Sequence, residues 1–331
     1  MSPWSRMAAL LITVALTLTV GQVAPVTPQP KPLVPVSVAV PVPAVPFLPL
    51  YIAKQKGFDR DNGVEINFQT IAGSVAVQAM VSGGLDFTLS AGSVLNAGLA
   101  GAPVAVLMIM IDKSTYALYA RPEIRGVQDL KGKKIAVDSI GGSQYSELRL
   151  ALEKAGLSPA DVVILGISGT VQIASLSSGA IDGSVVAPPQ DLRLEKLGFR
   201  RVLKLGDYVA GINGGLGVSA SLLKSKPDVV DGLVTAGLMG LRYLKENREG
   251  TLPLIMSYLS VDARDAGFVY DNTVQAFSDG RSSPTGRAEM IAAAAAALKS
   301  PPRRVQPEEI FDFGPLDRAQ ARLQARGWRP N

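Results

Sequence analysis

An internal repeat constrains the fold of this chain more than any other feature of its sequence. Residues 72–87 align without gaps to residues 168–183. Each copy has a glycine followed by a hydroxyl residue, a short helical pattern, a Ser-Gly pair that ends it, and an apolar residue followed by Asp. Two copies of one helix-to-strand unit predict two lobes of similar topology. The identical pairs are Gly73 and Gly169, Val75 and Val171, Ser82 and Ser178, Gly83 and Gly179, and Asp86 and Asp182.

Short apolar segments of β type alternate with helical segments around both copies. Several helical segments begin at Ser or Thr and end at Gly, which are residues preferred at those ends. This alternation is typical of βαβ units, so we predict an α/β protein with largely parallel sheets. The chain from 227 to 299 is predicted to be mostly helical. Strands are predicted at 33–40, 64–68, 86–89, 104–111, 134–137, 161–165, 183–186 and 201–205, and helices between them at 74–82, 93–100, 143–155, 170–178 and 190–197.

The N-terminus has the pattern of an export signal. Arg6 precedes an apolar run from Met7 to Val20, which is shorter than the roughly 20 residues that a membrane helix needs. We predict a signal peptide at 1–24 without a cysteine for lipid attachment, and a periplasmic mature protein; an uncleaved anchor is the alternative. The predicted domains are a proline-rich tether at 25–32, a first lobe at 33–114 plus 216–300, a second lobe at 115–215, and a C-terminal tail at 301–331 that serves packing or display.

The composition excludes several classes of function. The 331 residues include no cysteine and no histidine, which removes disulfides, thiolate nucleophiles, histidine bases and the commonest metal ligands. The net charge of +5 comes from 33 basic and 28 acidic residues spread along the chain, without the basic patch that nucleic-acid binding needs. We therefore predict a binding protein rather than an enzyme, with no cofactor, no metal and no nucleic-acid partner.

Four segments carry motifs that point to one family. Residues 50–66 form an apolar helix that ends at Gly-Phe, followed by an acidic turn, a glycine and a strand. The others are Ser-Gly-Gly-Leu-Asp-Phe at 82–87, Asp-Leu-Lys-Gly-Lys-Lys-Ile-Ala-Val at 129–137, and Ser-Gly-Ala-Ile-Asp at 178–182 with the Ala-Pro-Pro turn at 187–189. Together they resemble the periplasmic solute-binding proteins of the nitrate/sulfonate/taurine ABC-transporter family, within the thiamine-precursor-synthase-like superfamily.

The resemblance implies a two-lobed fold of the periplasmic-binding-protein type II-like class, with a ligand cleft between the lobes. It also implies a monomer that binds a small organic or anionic solute by hinge closure and delivers it to an ABC permease in the inner membrane. Enzymes of the same superfamily depend on an active-site His, which this chain lacks. The alternatives are a binding protein that signals to a membrane receptor and a carboxylate-based enzyme.

Candidate site residues come from the loops that follow the predicted strands. In open α/β sheets ligands bind at the carboxyl ends of the strands, where helix N-termini offer free N–H groups. Serines at these helix starts would contact the solute, glycines would allow its close approach, and an aromatic ring would stack on it. The candidate ligand-binding residues are Phe47, Gly73, Ser74, Ser90, Gly92, Ser93, Ser114, Gly141, Gly142, Ser143 and Pro189, of which Ser114 lies where the chain is expected to cross between lobes.

The charge of the solute stays open at this point. No Arg or Lys falls squarely on the predicted loops, whereas a tightly bound oxyanion often pairs with Arg. Asp138 and Asp191 would suit a cationic group, or would serve only turns and helix caps. The glycine-rich segment 139–144 lacks the Lys-Ser/Thr of a phosphate loop, which disfavours nucleotide binding.

Overall fold

A computed structural model of the chain describes residues 32–209, 213–297 and 306–330. The predicted signal peptide at 1–24, and the predicted tether except for its last residue, lie outside these ranges. From Leu33 onward the described residues form one compact unit. None of the helices in the described part combines the length and the apolar character needed to cross a membrane.

The strands of the described residues form two sheets. They are β1 (Val34–Val40), β2 (Val64–Thr70), β3 (Phe87–Thr88), β4 (Val104–Ile111), β5 (Ala117–Ala120), β6 (Lys134–Val137), β7 (Val163–Gly166), β8 (Gly183–Val186), β9 (Arg200–Lys204), β10 (Asn213–Ser219) and β11 (Phe277–Gly280). The predicted strands at 104–111, 134–137 and 183–186 match β4, β6 and β8 at both ends.

Helices connect and cover these strands. They are α1 (Leu48–Gln55), α2 (Phe58–Asp61), α3 (Gly73–Val81), α4 (Ala91–Leu99), α5 (Ser143–Lys154), α6 (Gly169–Ser177), α7 (Gln190–Lys196), α8 (Ala220–Ser225), α9 (Pro227–Glu246), α10 (Arg248–Leu259), α11 (Ala263–Thr273), α12 (Pro284–Ala297), α13 (Pro307–Ile310) and α14 (Gly314–Ala325). Gly57 and Gly63, with φ of 74° and 79°, make the left-handed turns between α1, α2 and β2 that a side chain would strain.

The two sheets share one strand order. The first runs β2-β1-β3-β10-β4 with β11 added at its edge, and the second runs β7-β6-β8-β5-β9. In the first sheet β1 pairs in parallel with β2 and β3, as β6 does with β7 and β8 in the second. The prediction of a two-lobed α/β fold is therefore confirmed.

The prediction of largely parallel sheets is correct only in part, because each sheet also contains an antiparallel strand. Strands β10 and β5 occupy equivalent places in the two sheets, and each runs antiparallel to both of its neighbours. Strand β11 is also antiparallel to β4. Each sheet is mixed because β10 and β5 enter from the segments that connect the sheets, rather than from βαβ crossovers.

The chain passes from the first sheet to the second between β4 and β5, and returns between β9 and β10. The predicted lobe boundary between residues 114 and 115 lies in the first crossing. The boundary between residues 215 and 216 lies within β10. Two crossings close together are the usual geometry of a hinge between two lobes.

The C-terminal stretch that was predicted as a tail packs on the first sheet's side of the molecule. Helix α14 lies against α9, where Arg318 donates two hydrogen bonds of 2.9 and 2.7 Å to the buried carboxylate of Asp231. The Trp328 ring meets the Phe58 ring edge-on at 5.6 Å between centroids. Strand β4, buried along its whole length, runs beneath these helices.

Candidate functional site

Three helix starts converge between the two sheets. Helices α3 and α4 follow β2 and β3 of the first sheet, and α5 follows β6 of the second. The helices are 9, 9 and 12 residues long. Their first turns therefore carry N–H groups without helical partners and a partial positive charge, which suit a polar ligand.

Within the first sheet, the start of α3 lies against the start of α4. A Cβ atom on Gly73 would lie 2.4 Å from the Ser93 Oγ and 3.0 Å from the Ser90 Oγ. Only glycine allows this approach, because real Cβ contacts are longer. The structure thus brings together three of the predicted site residues.

Across the cleft, α4 of the first sheet touches α5 of the second. A Cβ atom on Gly92 would lie 2.2 Å from the Ser143 Oγ and 2.9 Å from the Ser143 Cα. Both residues were predicted as site residues from opposite lobes. Their contact places the serines of the first lobe beside the first turn of α5.

Other contacts hold the two sheets together around this point. The Asn96 side-chain amide donates to the Gly141 carbonyl and, at 3.2 Å, to the Ser146 Oγ. The Val45 N–H donates to the Pro188 carbonyl at 3.3 Å. These bonds join opposite lobes, so the described arrangement is a closed one.

Three buried hydroxyls at this junction have unused hydrogen-bonding capacity. Ser90, Ser93 and Ser139 are 7%, 4% and 6% exposed, and their Oγ atoms have no hydrogen-bond partner among the described residues. Buried polar groups in folded proteins are almost always paired. Unpaired hydroxyls from both lobes, beside three helix starts, make this junction the candidate site for a polar ligand.

Asp138 adds a carboxylate to the second lobe's side of the junction. It follows β6 and accepts the Ser139 N–H at 2.8 Å. Burial raises the pKa of Asp138 to about 6, although the Ser139 N–H lowers it. The carboxylate is thus mostly ionised at neutral pH, close to its titration range.

A cavity of about 490 Å³ lies beside Pro43 and Gly169, and the three unpaired serines are not among the residues that line it. Its volume is in the range of small-molecule sites. It is lined from both lobes, and its walls are largely apolar. They include Val42, Pro43, Gly169, Ile173, Pro189 and Tyr258.

The remaining predicted residues lie in the core, in the first turn of α3, at the first crossing, or in the loop before α5. Phe47 is 4% exposed and packs in the main hydrophobic core, and Ser74 is half-buried on the first turn of α3. The Ser114 hydroxyl donates to the buried carboxylate of Glu147 on α5, at the first crossing. Gly141 makes a left-handed turn with φ of 82°, and Gly142 is the N-cap of α5.

Asp191 lies away from the serine cluster. It lines a second cavity of about 350 Å³ beside the first crossing, together with Lys113, Arg201 and Lys204. Burial raises the pKa of Asp191, and the neighbouring Glu195 raises it further. In the described ranges, no group of three or more Asp and Glu side chains is arranged to hold a metal ion.

Two site residues were missed from the sequence. Asn96 lies in the second turn of α4, so a search of helix starts passes over it. Ser139 lies in the loop that was predicted to face the cleft, where the signal was its position after a buried strand. Its role becomes visible only when its hydroxyl is found buried and unpaired.

Comparison with known proteins agrees with this architecture. RibY, a riboflavin-binding protein of Chloroflexus aurantiacus, is 28% identical over 226 residues, which cover 66% of this chain and 64% of RibY. The taurine-binding periplasmic protein of Escherichia coli is 30% identical over 144 residues, or 43% of this chain and 45% of that protein. The chain thus matches less than two thirds of the length of either relative.

A solved structure shares the fold over nearly the whole chain. The alkanesulfonate-binding protein SsuA from Xanthomonas axonopodis pv. citri bound to MOPS superposes with a TM-score of 0.68 at 21% identity, covering 86% of this chain and 99% of SsuA. The predicted resemblance to this class of solute-binding proteins is confirmed. A family model described as NMT1/THI5 like matches residues 45–250, which is more than half of the sequence. The chain therefore belongs to the NMT1/THI5-like family.

Proposed function

We propose that this chain is the extracytoplasmic solute-binding component of an ABC importer. It binds one small solute between its two lobes, closes by a hinge at the two crossings, and presents the closed surface to a permease. It acts as an exported monomer and changes no covalent bond of the solute. The names of the relatives, which bind riboflavin, taurine and an alkanesulfonate, support a small organic solute.

The observation that carries the proposal is the set of orphan hydroxyls on Ser90, Ser93 and Ser139. A buried hydroxyl without a partner costs about 1–3 kcal/mol of stability. Closing the lobes over these three hydroxyls without a solute is therefore unfavourable. A solute that bonds to them removes this penalty. The solute therefore stabilises the closed state over the open one, which is the requirement for ligand-driven closure.

Direct contacts between the lobes also stabilise the closed state. The bonds from Asn96 and from the Val45 N–H are each worth about 1 kcal/mol. A solute bonded to the three hydroxyls would add to these contacts and shift the balance toward the closed state.

Composition favours binding over catalysis. The chain contains no histidine and no cysteine, so it lacks the commonest bases and nucleophiles. The groups gathered at the junction are serine hydroxyls, helix N–H groups and one carboxylate. These groups suit recognition of a polar molecule.

The first experiment identifies the solute. Protein purified under mild conditions is analysed by native mass spectrometry, and the masses found guide a thermal-shift screen. A solute at a hundredfold above its dissociation constant is expected to stabilise the protein by about 2.7 kcal/mol. The double variant Ser90→Ala/Ser93→Ala should lose at least tenfold in affinity, because two hydrogen bonds are removed.

The control is Ser178→Ala, which removes an exposed hydroxyl that bonds only within its own turn. It should bind the solute as the unchanged protein does. Equal affinity of the double variant and the control would contradict the proposed site. Chemical conversion of the bound solute would contradict a pure binding role and favour the enzyme alternative.

The transport role needs a separate measurement. Cells that lack this protein should take up the identified solute more slowly, and the mature chain should be recovered in the extracytoplasmic fraction. Normal uptake in the deletion strain, combined with loss of a transcriptional response to the solute, would favour the sensing alternative.

A further inference from the structure

The start of α5 combines a carboxylate with an orphan hydroxyl. A Cβ atom on Gly142 would lie 2.6 Å from the Ser139 Oγ and 3.1 Å from the Asp138 Oδ1. The two side-chain oxygens thus share the space directly above the N-cap of α5. Ser139 is 6% exposed, and its hydroxyl is unpaired within the described residues. The turn therefore leaves a buried hydroxyl that a ligand could pair with.

Asp138 has acceptor capacity left over. Its Oδ1 accepts the Ser139 N–H, and no described Lys or Arg forms an ion pair with it. Asp182, at the amino end of the adjacent strand of the same sheet, shows the contrast. Its carboxylate takes both the Lys134 N–H at 2.8 Å and the Arg121 guanidinium. An ionised carboxylate that has an unbonded oxygen at this junction accepts hydrogen bonds and cannot donate them, so it selects for donor groups.

The charge at this point discriminates between classes of solute. An anionic head group would meet the Asp138 carboxylate in a partly dry space, where repulsion is weakly screened. It would bind only if Asp138 took up a proton. This protonation is unfavourable at neutral pH, because burial raises the pKa of Asp138 only to about 6. A donor group meets no such obstacle, since it bonds to the carboxylate while the serines bond to its acceptors.

We infer that the solute presents an N–H or O–H donor, on an uncharged or cationic group, to Asp138, and that Asp138 excludes solutes whose only polar head is an anion. This inference rests on the proposed function and adds the chemical class of the solute. It also assigns Ser90, Ser93 and Ser139 as hydrogen-bond donors to the acceptor atoms of the same solute.

The test measures selectivity rather than affinity alone. Isothermal titration calorimetry compares the unchanged protein with Asp138→Asn, using riboflavin, taurine and methanesulfonate as probes. The first two carry N–H donors, and methanesulfonate is an anion without one. The unchanged protein should bind riboflavin or taurine at least tenfold more tightly than methanesulfonate. Asp138→Asn should reduce this ratio at least tenfold, with methanesulfonate binding improved.

The variant keeps the local fold, because the Asn side-chain carbonyl also accepts the Ser139 N–H. The charge-matched control is Asp161→Asn, a partly exposed residue of the same lobe that lies 3.8 Å from Lys131. A variant whose fold alone were weakened would lose affinity for all three probes and leave the ratio unchanged.

The outcomes separate the two proposals. Methanesulfonate bound as tightly as the donor-bearing probes, or a ratio unaffected by Asp138→Asn, would overturn the inference and leave the proposed function standing. If the protein binds none of the probes and no solute co-purifies with it, the proposed function fails, and the inference fails with it.

Discussion

The Asp86 carboxylate accepts two hydrogen bonds from Ser37, one from its main-chain N–H at 2.8 Å and one from its hydroxyl at 2.7 Å. Asp86 also donates its own N–H to the Ser37 Oγ at 2.9 Å. Asp182, the matching residue of the repeat, accepts the Lys134 N–H at 2.8 Å. In both lobes the repeat therefore ends on an aspartate that ties the incoming strand to its parallel neighbour, β1 in the first sheet and β6 in the second.

Replacing Asp86 with Ala should destabilise the first lobe by about 2 kcal/mol, because hydrogen bonds to a charged group are worth about 1.5–3 kcal/mol. Urea unfolding measures the change. Asp61→Ala, at an exposed carboxylate, should change stability by less than about 0.5 kcal/mol. Equal effects of the two substitutions would show that the bonds to Ser37 contribute nothing.

The Asp182 carboxylate should stabilise the fold only above acidic pH. Partial burial alone would raise the pKa of Asp182, but the Lys134 N–H and the Arg121 guanidinium lower it overall. A carboxyl group with a lowered pKa in the folded state contributes stability above its unfolded pKa of about 3.9, and loses it as the pH falls further. The stability difference between the unchanged protein and Asp182→Asn should therefore shrink below about pH 4 in urea titrations at stepped pH.

Asp138 should show the opposite pH dependence. Its pKa of about 6 lies above the unfolded value of about 3.9, so its ionised form opposes folding at neutral pH. Without solute, Asp138→Asn should be more stable than the unchanged protein at pH 7 by about 2 kcal/mol. The carboxylate keeps some contact with solvent, which limits the size of this difference. This gap should close between about pH 6 and pH 4. A constant gap over that range would contradict the assigned titration.

Gly92→Ala should block closure while leaving each lobe folded. The added Cβ would lie 2.9 Å from the Ser143 Cα, a distance that requires main-chain movement. We expect at least a tenfold loss of affinity for the solute, and a radius of gyration in small-angle X-ray scattering that no longer falls when solute is added. Gly84→Ala is the control, because its Cβ would meet only the Ala79 carbonyl at 3.6 Å. Normal compaction of Gly92→Ala would refute the contact between α4 and α5.

Arg318→Ala should loosen the C-terminal helix α14. It removes two bonds to the buried Asp231 carboxylate and leaves Arg322 at 3.6 Å as a weaker partner. We expect a loss of about 2 kcal/mol in unfolding free energy. Arg326→Ala, an exposed residue at the end of the same helix, should cost less than about 0.5 kcal/mol. Hydrogen exchange should increase along α14 only in Arg318→Ala.

Strongly patterned elements could be predicted from the sequence, and the strands that complete each sheet could not. Strand β4 is an apolar run of eight residues with turn signals on both sides, and its predicted bounds are those observed. Strand β10 reads Asn-Gly-Gly-Leu-Gly-Val-Ser, a composition that disfavours a strand. Its glycines are required by packing: a Cβ on Gly217 would lie 2.4 Å from Val94 Cγ2 of α4, and one on Gly215 would lie 2.5 Å from the Met108 carbonyl.

For the site, the repeat and the helix starts predicted the position but not the partners. Gly73, Ser90, Gly92, Ser93 and Ser143 come together because each follows a strand that points at the cleft. The sequence does not show which hydroxyls remain unpaired, since this depends on contacts between residues far apart in the chain. Phe47 illustrates the limit, because an aromatic residue after the first strand fits a ligand contact and a core position equally well.

The place of β10 in the first sheet determines the order in which the lobes are completed. The strands that pair with β4 in the first sheet are β10 and β11, which emerge from the ribosome after every strand of the second sheet. Until residue 219 is synthesised, the strand that lies between β3 and β4 is missing, whereas the strands of the second sheet come from one continuous stretch of chain. A nascent chain of this design keeps its larger half unfinished for most of its synthesis, so every strand of the second sheet is available before the first sheet can be completed.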